Sequence, residues 1–181
     1  MEIDEIIYKD FLKGDNEAFD ILMDRYMEKL IYFINSFVKN IDVAEDLSQD
    51  VFVYILMNKK EYDFKYSLKT YLFTIGKSRA LNYLKKNNRT QNLIYENVEI
   101  NESEIEESIF KKEKYKGLRE AIKQLPLEQS RAIYLSSIEE LSYAEICEIL
   151  NMSMPKVKSL LHRGKRNLKK ILIKKGVVYY E

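Results

Sequence analysis

The chain has 181 residues, 46% of them hydrophobic, with a single cysteine and a formal net charge of +1. A chain of this length can hold one domain or two small ones. Its hydrophobic content is enough to build cores and excludes a globally disordered chain, and a single cysteine excludes an internal disulfide framework. No apolar run approaches the roughly 18 residues of a membrane span and no signal-like segment opens the chain, so we expect a cytoplasmic protein without membrane insertion.

The first half of the chain predicts four helices, which form a first domain over residues 1–87. The spacing of apolar residues places these helices at about 3–13, 16–38, 42–57 and 67–86. Asp42 and Glu45 form a possible capping box at the start of the third helix. The apolar positions expected to face the core from the fourth helix are Leu68, Tyr71, Leu72, Ile75, Ala80, Leu81 and Leu84.

Aromatic residues alternate with bases around the start of the fourth helix. Residues 64–95 carry seven Lys or Arg and no acid. Aromatic faces can stack on unstacked bases while cations follow the backbone, which is the chemistry of single-strand binding. The alternative is a helical core decorated by lysines, and we expect this for Leu72, Phe73 and Ile75. The positions that favour nucleic-acid binding, given a second line of evidence, are the loop before Ser67 and Lys77, Ser78, Arg79 and Asn82.

A polar stretch over residues 88–112 is predicted to be a flexible linker. Its acids cluster at Glu96, Glu99, Glu102, Glu104, Glu106 and Glu107. A composition of this kind cannot bury enough apolar surface to hold a packed structure.

A second helical domain is predicted over residues 113–176. Helical periodicity resumes at about 113 and breaks at Leu125-Pro126, and a further helix covers about 127–139. Residues 142–172 then predict two short helices joined by a tight turn. Ser142 and Glu145 form a capping box for the first of them, and Pro155 falls in the first turn of the second.

The last predicted helix is densely basic, and residues 149–180 carry nine Lys or Arg with no acid. A helix presented in this way beyond a tight turn fits the major groove of DNA. The alternative is an ordinary amphipathic hairpin with a solvated basic face. The core-facing stripe is Val157, Leu161, Gly164, Leu168 and Ile171, and the residues left mainly outside it are Lys156, Lys158, Ser159, His162, Arg163 and Arg166.

These patterns predict an all-α fold of two small helical domains joined by a flexible acidic linker, with a helix-turn-helix in the second domain. They do not favour an enzyme. His162 is the only histidine and lies on the basic helix, and the sequence contains neither a CxxC pair nor a Gly-rich phosphate loop. We therefore expect no catalytic residue, no metal site and no cofactor.

Five sequence blocks resemble a known family. AEDLSQDVF at residues 44–52 closely resembles the A-E-D-L-x-Q-[ED]-x-F motif of bacterial sigma factors. The other blocks occur in the family's order and resemble the extracytoplasmic-function (ECF) group, the minimal two-domain sigma factors. They are DNEAFDILMDRY (15–26), SLKTYLFTIGKSRALNYLKKNNR (67–89), LPLEQSRAIYL (125–135) and LSYAEICEILNMSMPKVKSLLHRGKRNL (141–168).

The resemblance implies three binding surfaces. The first domain would bind the β′ clamp helices of core RNA polymerase through Asp46, Gln49 and Asp50, with Leu47, Val51 and Phe52 as core. The same domain would melt and read the −10 element of promoter DNA through Tyr66, Lys77, Ser78, Arg79 and Asn82. The second would read the duplex −35 element and touch the β flap, and its implied DNA contacts are Lys156, Lys158, Ser159, His162, Arg163 and Arg166. A cognate anti-sigma factor is also implied.

The chain departs from the family pattern at two of these surfaces. Ser78 stands where the family commonly has Asn. In the recognition helix, Pro155 and Lys156 replace Gly-Thr, and Leu160 replaces an Arg that would supply a phosphate or base donor. These departures bear on which bases are preferred.

Two other functional classes fit part of the sequence. A conventional two-domain helix-turn-helix regulator, acting without a sigma role, would explain the second domain but not AEDLSQDVF or the aromatic and basic block. A helical interaction protein would explain only the amphipathic pattern. A sigma factor explains all of these features together.

Overall fold

The computed structural model describes residues 3–91 and 116–174, and every regular element within these two ranges is helical. The chain divides into two compact units, residues 1–102 and 103–181. The predicted all-α fold with two helical units is confirmed. Residues 92–112 of the predicted linker lie outside the described residues.

The first unit is built around its second helix. Its elements are α1 (Ile3–Leu12), α2 (Asn16–Val38), α3 (Ile41–Met57) and α4 (Leu68–Gln91). Helix α2 packs against each of the other three. It begins where Asp15 accepts hydrogen bonds from the backbone N–H groups of Glu17 (3.0 Å) and Ala18 (3.3 Å), and it ends at Lys39 in the left-handed conformation.

The predicted capping box at the start of α3 is wrong. Helix α3 is capped by Asn40, whose side-chain oxygen accepts from the backbone N–H of Val43 at 3.0 Å. Asp42 therefore lies inside the first turn, where its negative charge favours the helix N-terminus without capping it.

Helix α4 runs further than predicted and fully buries three of the seven residues expected to face the core, with Tyr71, Ile75 and Leu84 half-buried. Leu68, Leu72 and Ala80 are buried, and the ring of Phe73 meets that of Phe33 with centroids 4.9 Å apart. Leu81, expected in the core, is instead 43% exposed. The helix also continues through residues 88–91, which were assigned to the linker.

The second unit comprises α5 (Lys116–Lys123), α6 (Leu127–Ile133), a π-helical turn (Tyr134–Ile138), α7 (Tyr143–Leu150) and α8 (Met154–Lys174). The break at Leu125-Pro126 is confirmed, and α6 starts directly after Pro126. The apolar pattern predicts a continuous helix over 127–139, but residues Tyr134–Ile138 form the wider π turn. There the hydroxyl of Tyr134 donates to Oε1 of the buried Glu139 at 2.8 Å.

The helix-turn-helix forms as predicted. Ser142 and Glu145 make the reciprocal capping box of α7, with the Ser142 N–H donating to the Glu145 carboxylate at 2.9 Å. Asn151 ends α7 in the left-handed conformation that Asn tolerates, so the chain turns at once into α8.

Gly164 lets α8 approach α6 closely. A Cβ atom at this position would stand 2.8 Å from Cγ1 of Ile133, which is itself fully buried. Val157 and Leu161 on the same stripe are also buried. The predicted core-facing side of α8 is therefore confirmed at these positions.

Within residues 3–91 and 116–174, no helix is both long enough and apolar enough to cross a bilayer.

Candidate nucleic-acid interface

Helix α3 presents a polar surface away from the core. Asp46, Gln49 and Asp50, the residues expected to contact the polymerase, are all exposed. Their spacing of three and four residues places them on one face of the helix. Val51 and Phe52 are buried on the other side, as expected, and Leu47 is half-buried at the margin.

An apolar strip continues this face toward the end of α3, and sequence reasoning missed it. Val53, Leu56 and Met57 are 57%, 48% and 77% exposed. They follow Asp50 at the same helical spacing. The sequence does contain a signal for this strip, because these three residues occupy the next two turns on the face of α3 that carries Asp46 and Gln49. Exposed apolar side chains that adjoin one another in this way are typical of protein-binding surfaces.

Helix α4 brings together only part of the residues expected to read the −10 element. Ser78 and Asn82 are exposed at the centre of its outer face. Lys77 and Arg79 are half-buried and flank that face on opposite sides, about 160° apart around the helix axis. A single ligand strand would therefore meet Ser78, Asn82 and Arg79 together, whereas Lys77 points to the other side.

The segment between α3 and α4 packs onto the start of α4. Tyr62, only 3% exposed, stacks on Tyr71 with ring centroids 5.1 Å apart and donates its hydroxyl to the carbonyl of Tyr66 at 2.7 Å. Tyr66 itself is half-buried, and the ammonium group of Lys65 lies 5.3 Å from its ring centroid. Tyr62 and Phe73 thus belong to the core, while Tyr66 keeps an accessible edge.

Tyr71 holds its proton unusually strongly. Burial is the largest cause of a pKa raised to about 12, and the nearby Tyr54, Glu61 and Asp63 contribute to the same shift because negative charge opposes a phenolate. The phenol is therefore a hydrogen-bond donor throughout the neutral range.

This shift predicts a stability change at alkaline pH. Because the folded-state pKa of Tyr71 lies above its ordinary value of 10, the contribution is complete below pH 10 and is lost as the pH rises toward about 12. The free energy of unfolding should fall more steeply over this window in the parent than in Tyr71→Phe. Denaturant titrations at several alkaline pH values measure both slopes, and equal slopes would contradict the assignment.

Helix α8 exposes every residue predicted to contact the −35 element. Lys156, Lys158 and Ser159 are exposed in its first half, and His162, Arg163 and Arg166 follow on the same outer surface. This surface also includes residues that the sequence prediction did not single out, namely Lys165, Lys169, Lys170 and Lys174. With no acid anywhere in Met154–Lys174, the helix attracts phosphate along its full length.

Two contacts orient the basic side chains of α8. The ammonium group of Lys156 pairs with the Glu128 carboxylate of α6 at 3.2 Å, and Nε of Arg163 donates to the Ser159 carbonyl at 3.4 Å. Both are exposed contacts of small energy, so phosphate can displace them. Asn167 donates to Gln129 at 2.9 Å and ties α8 to α6 beside this surface.

The position of Leu160 clarifies one departure from the family pattern. Leu160 is 3% exposed and faces the core of the second unit. An arginine in place of Leu160 would therefore extend from the buried side of α8. The other two departures, Pro155 and Lys156, are exposed at the beginning of the helix.

In the described part of the chain, His, Cys, Asp and Glu form no group of three or more that could hold a metal ion.

Comparison with known proteins places both units in one family. Residues 22–90 match the family model for sigma-70 region 2, and residues 115–168 match the model for sigma-70, region 4. The ECF RNA polymerase sigma factor SigW of Bacillus subtilis (strain 168) is 28% identical over 175 residues, which cover 91% of this chain and 94% of SigW. RNA polymerase sigma factor YlaC of the same organism is 27% identical over 165 residues, which cover 87% of this chain and 94% of YlaC.

Two solved structures share the fold. The sigma factor RpoE of Bartonella quintana, in complex with the anti-sigma factor NepR, has a TM-score of 0.64 and 22% identity, covering 86% of this chain and 97% of RpoE. CnrH, in complex with the cytosolic domain of CnrY, has a TM-score of 0.62 and 18% identity, covering 96% of this chain and 99% of the matched one.

Proposed function

This chain belongs to the extracytoplasmic-function group of the sigma-70-type RNA polymerase sigma factors, and we propose that it binds the polymerase through α3 and recognises promoter DNA through α4 and α8. As a sigma factor it binds core RNA polymerase and directs transcription initiation at promoters through their −10 and −35 elements. The observation that carries this function is the match of region 2 and region 4, in order, to the two units.

The polymerase contact is assigned to the outer face of α3. Asp46, Gln49 and Asp50 are exposed there, and Val53, Leu56 and Met57 extend the same face with apolar surface. A polar patch beside an exposed apolar strip suits a protein partner better than nucleic acid, because carboxylates repel phosphate. The β′ clamp helices are the proposed partner.

The −10 contact is assigned to α4 and the segment before it. Ser78 and Asn82 supply hydrogen-bonding groups at the centre of the exposed face, and Arg79 supplies a cation at its edge. Tyr66 offers a half-buried aromatic ring against which an unstacked base can pack. Lys77, on the other flank of α4, is assigned to the phosphate backbone outside the base-reading face.

The −35 contact is assigned to α8. Its exposed surface is basic and uninterrupted by acids, and its first half follows directly from the tight turn after α7. Phosphate contacts would position the helix, while Ser159 and His162 are suited to reading base edges and Arg163 can reach either a base edge or a phosphate.

Three further properties are proposed for the whole protein. The chain acts in the cytoplasm, where the polymerase works, and it performs no chemistry itself, since the polymerase catalyses RNA synthesis. The β flap is proposed to contact the second unit. An anti-sigma factor is a proposed regulator, supported by the fold neighbour RpoE, whose structure contains the anti-sigma factor NepR.

A reconstitution experiment tests the function. The purified chain should co-elute with core RNA polymerase and support run-off transcription from a promoter selected from genomic DNA by the resulting holoenzyme. Tight binding of a duplex operator by the chain alone, with no transcription from added core polymerase, would favour the conventional helix-turn-helix regulator instead.

Replacing Arg163 with Ala tests the −35 assignment. We expect weaker binding of the holoenzyme to −35 duplex DNA and a plot of log K against log salt that is flatter by about one unit if the side chain contacts phosphate. Lys123→Ala, which removes the same charge from α5, is the matched control. Binding and salt dependence equal to those of this control would remove Arg163 from the interface.

A further inference from the structure

Tyr54 joins three parts of the first unit. It lies on α3, one turn after Asp50, and its hydroxyl donates to the carboxylate of Glu61 in the segment before α4. The phenol of Tyr71, from the first turn of α4, lies near enough to influence the pKa of Tyr54. Across its ring lies the guanidinium of Arg79, with Cζ 5.4 Å from the ring centroid. One side chain therefore links the polymerase-facing helix to the proposed −10 arginine.

The backbone after α3 builds this arrangement. The backbone N–H and the side-chain amide of Asn58 both donate to the Tyr54 carbonyl, at 2.9 and 3.0 Å, and the N–H of Glu61 donates to the Asn58 carbonyl at 2.9 Å. The chain is thus folded back over the last turn of α3, which places Glu61 beside Tyr54. On the opposite side, the stacked ring of Tyr62 fixes Tyr71.

The hydrogen bond to the Glu61 carboxylate defines the state of the Tyr54 hydroxyl. This bond is the largest cause of the raised pKa of Tyr54, so the hydroxyl stays protonated and acts as the donor. The bond at the hydroxyl and the guanidinium across the ring together favour an orientation of Tyr54 with one face toward Arg79.

We propose that Tyr54 is a positioning residue for promoter recognition, holding Arg79 at the edge of the exposed α4 face before DNA binds. The inference rests on the proposed function, in which Arg79 contacts the −10 element. A free arginine side chain loses considerable rotamer freedom when it is fixed in a complex. A guanidinium already resting on an aromatic face has lost part of that freedom, so less affinity is spent in ordering it.

The test compares Tyr54 variants with and without Arg79. The readout is binding of the holoenzyme to a forked promoter DNA whose −10 segment is single-stranded. Tyr54→Leu, which removes the aromatic face, should weaken binding by about twofold to fivefold. Tyr54→Phe, which keeps the face, should bind more tightly than Tyr54→Leu. In an Arg79→Ala background, Tyr54→Leu should cause no further loss, because the two residues act as one unit.

Each alternative result has a distinct meaning. If Arg79→Ala weakens binding but Tyr54→Leu does not, the inference fails and the −10 assignment stands. If Arg79→Ala has no effect, the inference and the proposed role of Arg79 fail together. An equal loss from Tyr54→Leu with and without Arg79 would show a general packing role instead, and a Tyr54→Phe variant as weak as Tyr54→Leu would show that the hydroxyl, not the ring face, matters for binding. Tyr54→Met serves as a second non-aromatic variant should Tyr54→Leu unfold, and circular dichroism reports the fold of each protein.

Discussion

Replacing Asp46 and Gln49 together with alanine is expected to weaken binding to core RNA polymerase by about tenfold or more, as removal of central interface residues commonly does. Both side chains are exposed on one face of α3, so their loss removes contacts with a partner and none within the core. Alanine also favours a helix, and the helical content should not change. Competition for labelled polymerase measures the affinity, and circular dichroism measures the helicity.

The control for this double variant is Asp24→Ala, which removes one exposed carboxylate from α2 and changes the net charge equally. Its affinity should match that of the parent. A double variant that also matches the parent would show that the polymerase does not contact this face of α3. Adding Met57→Lys should weaken binding further, because it places a charge in the exposed apolar strip that adjoins the two positions.

Replacing Gly164 with alanine is expected to destabilise the second unit by about 1–2 kcal/mol, since a clash of this kind costs more than the helix propensity gained. The new Cβ would stand 2.8 Å from Cγ1 of Ile133, an atom near the backbone of a fully buried residue. Relief requires α8 to move away from α6. A unit of this size has a stability on the order of 5 kcal/mol, so the loss is a large fraction of the whole.

Gly76→Ala provides the matched comparison in the first unit. There the Cβ would meet Leu30 and Ile34 at 3.2–3.4 Å, mostly at the flexible ends of their side chains, so a small adjustment suffices. Thermal unfolding should show a lower midpoint for Gly164→Ala and little change for Gly76→Ala. Equal changes in the thermal midpoint for the two variants would mean that α8 can move away from α6 without a loss of stability. Weaker −35 binding should accompany the destabilised variant only.

Local signals in the sequence were sufficient to predict where a helix begins when one residue type has a specific backbone role there. Ser142 and Glu145 predicted the start of α7 because a capping box needs those groups three residues apart. The bounds of α2 followed from its apolar spacing. At the start of α3, however, Asn40 and Asp42 are both good capping residues, and their side chains alone do not show which carbonyl accepts the first helical bond.

Features set by distant residues could not be predicted from local patterns. The contact between Tyr54 and Arg79 joins positions on two different helices, and no spacing rule connects them. Leu81 directly follows the buried Ala80 and so lies about 100° around α4 from it, outside the face that packs against the rest of the unit, and it is exposed. The π-helical turn after Ile133 likewise leaves no mark in the apolar pattern, because Leu135 is buried under either geometry.

The length of α4 makes it a rigid spacer as well as a recognition surface. Its 24 residues span about 36 Å, and its last residue, Gln91, lies nine positions after Asn82. Helix α4 therefore ends about 14 Å along its axis beyond the proposed base-reading face. One residue inserted after Asn82 would rotate this end by about 100° around the axis and move it by about 1.5 Å, so the placement of the end relative to the base-reading face is a property of α4 itself.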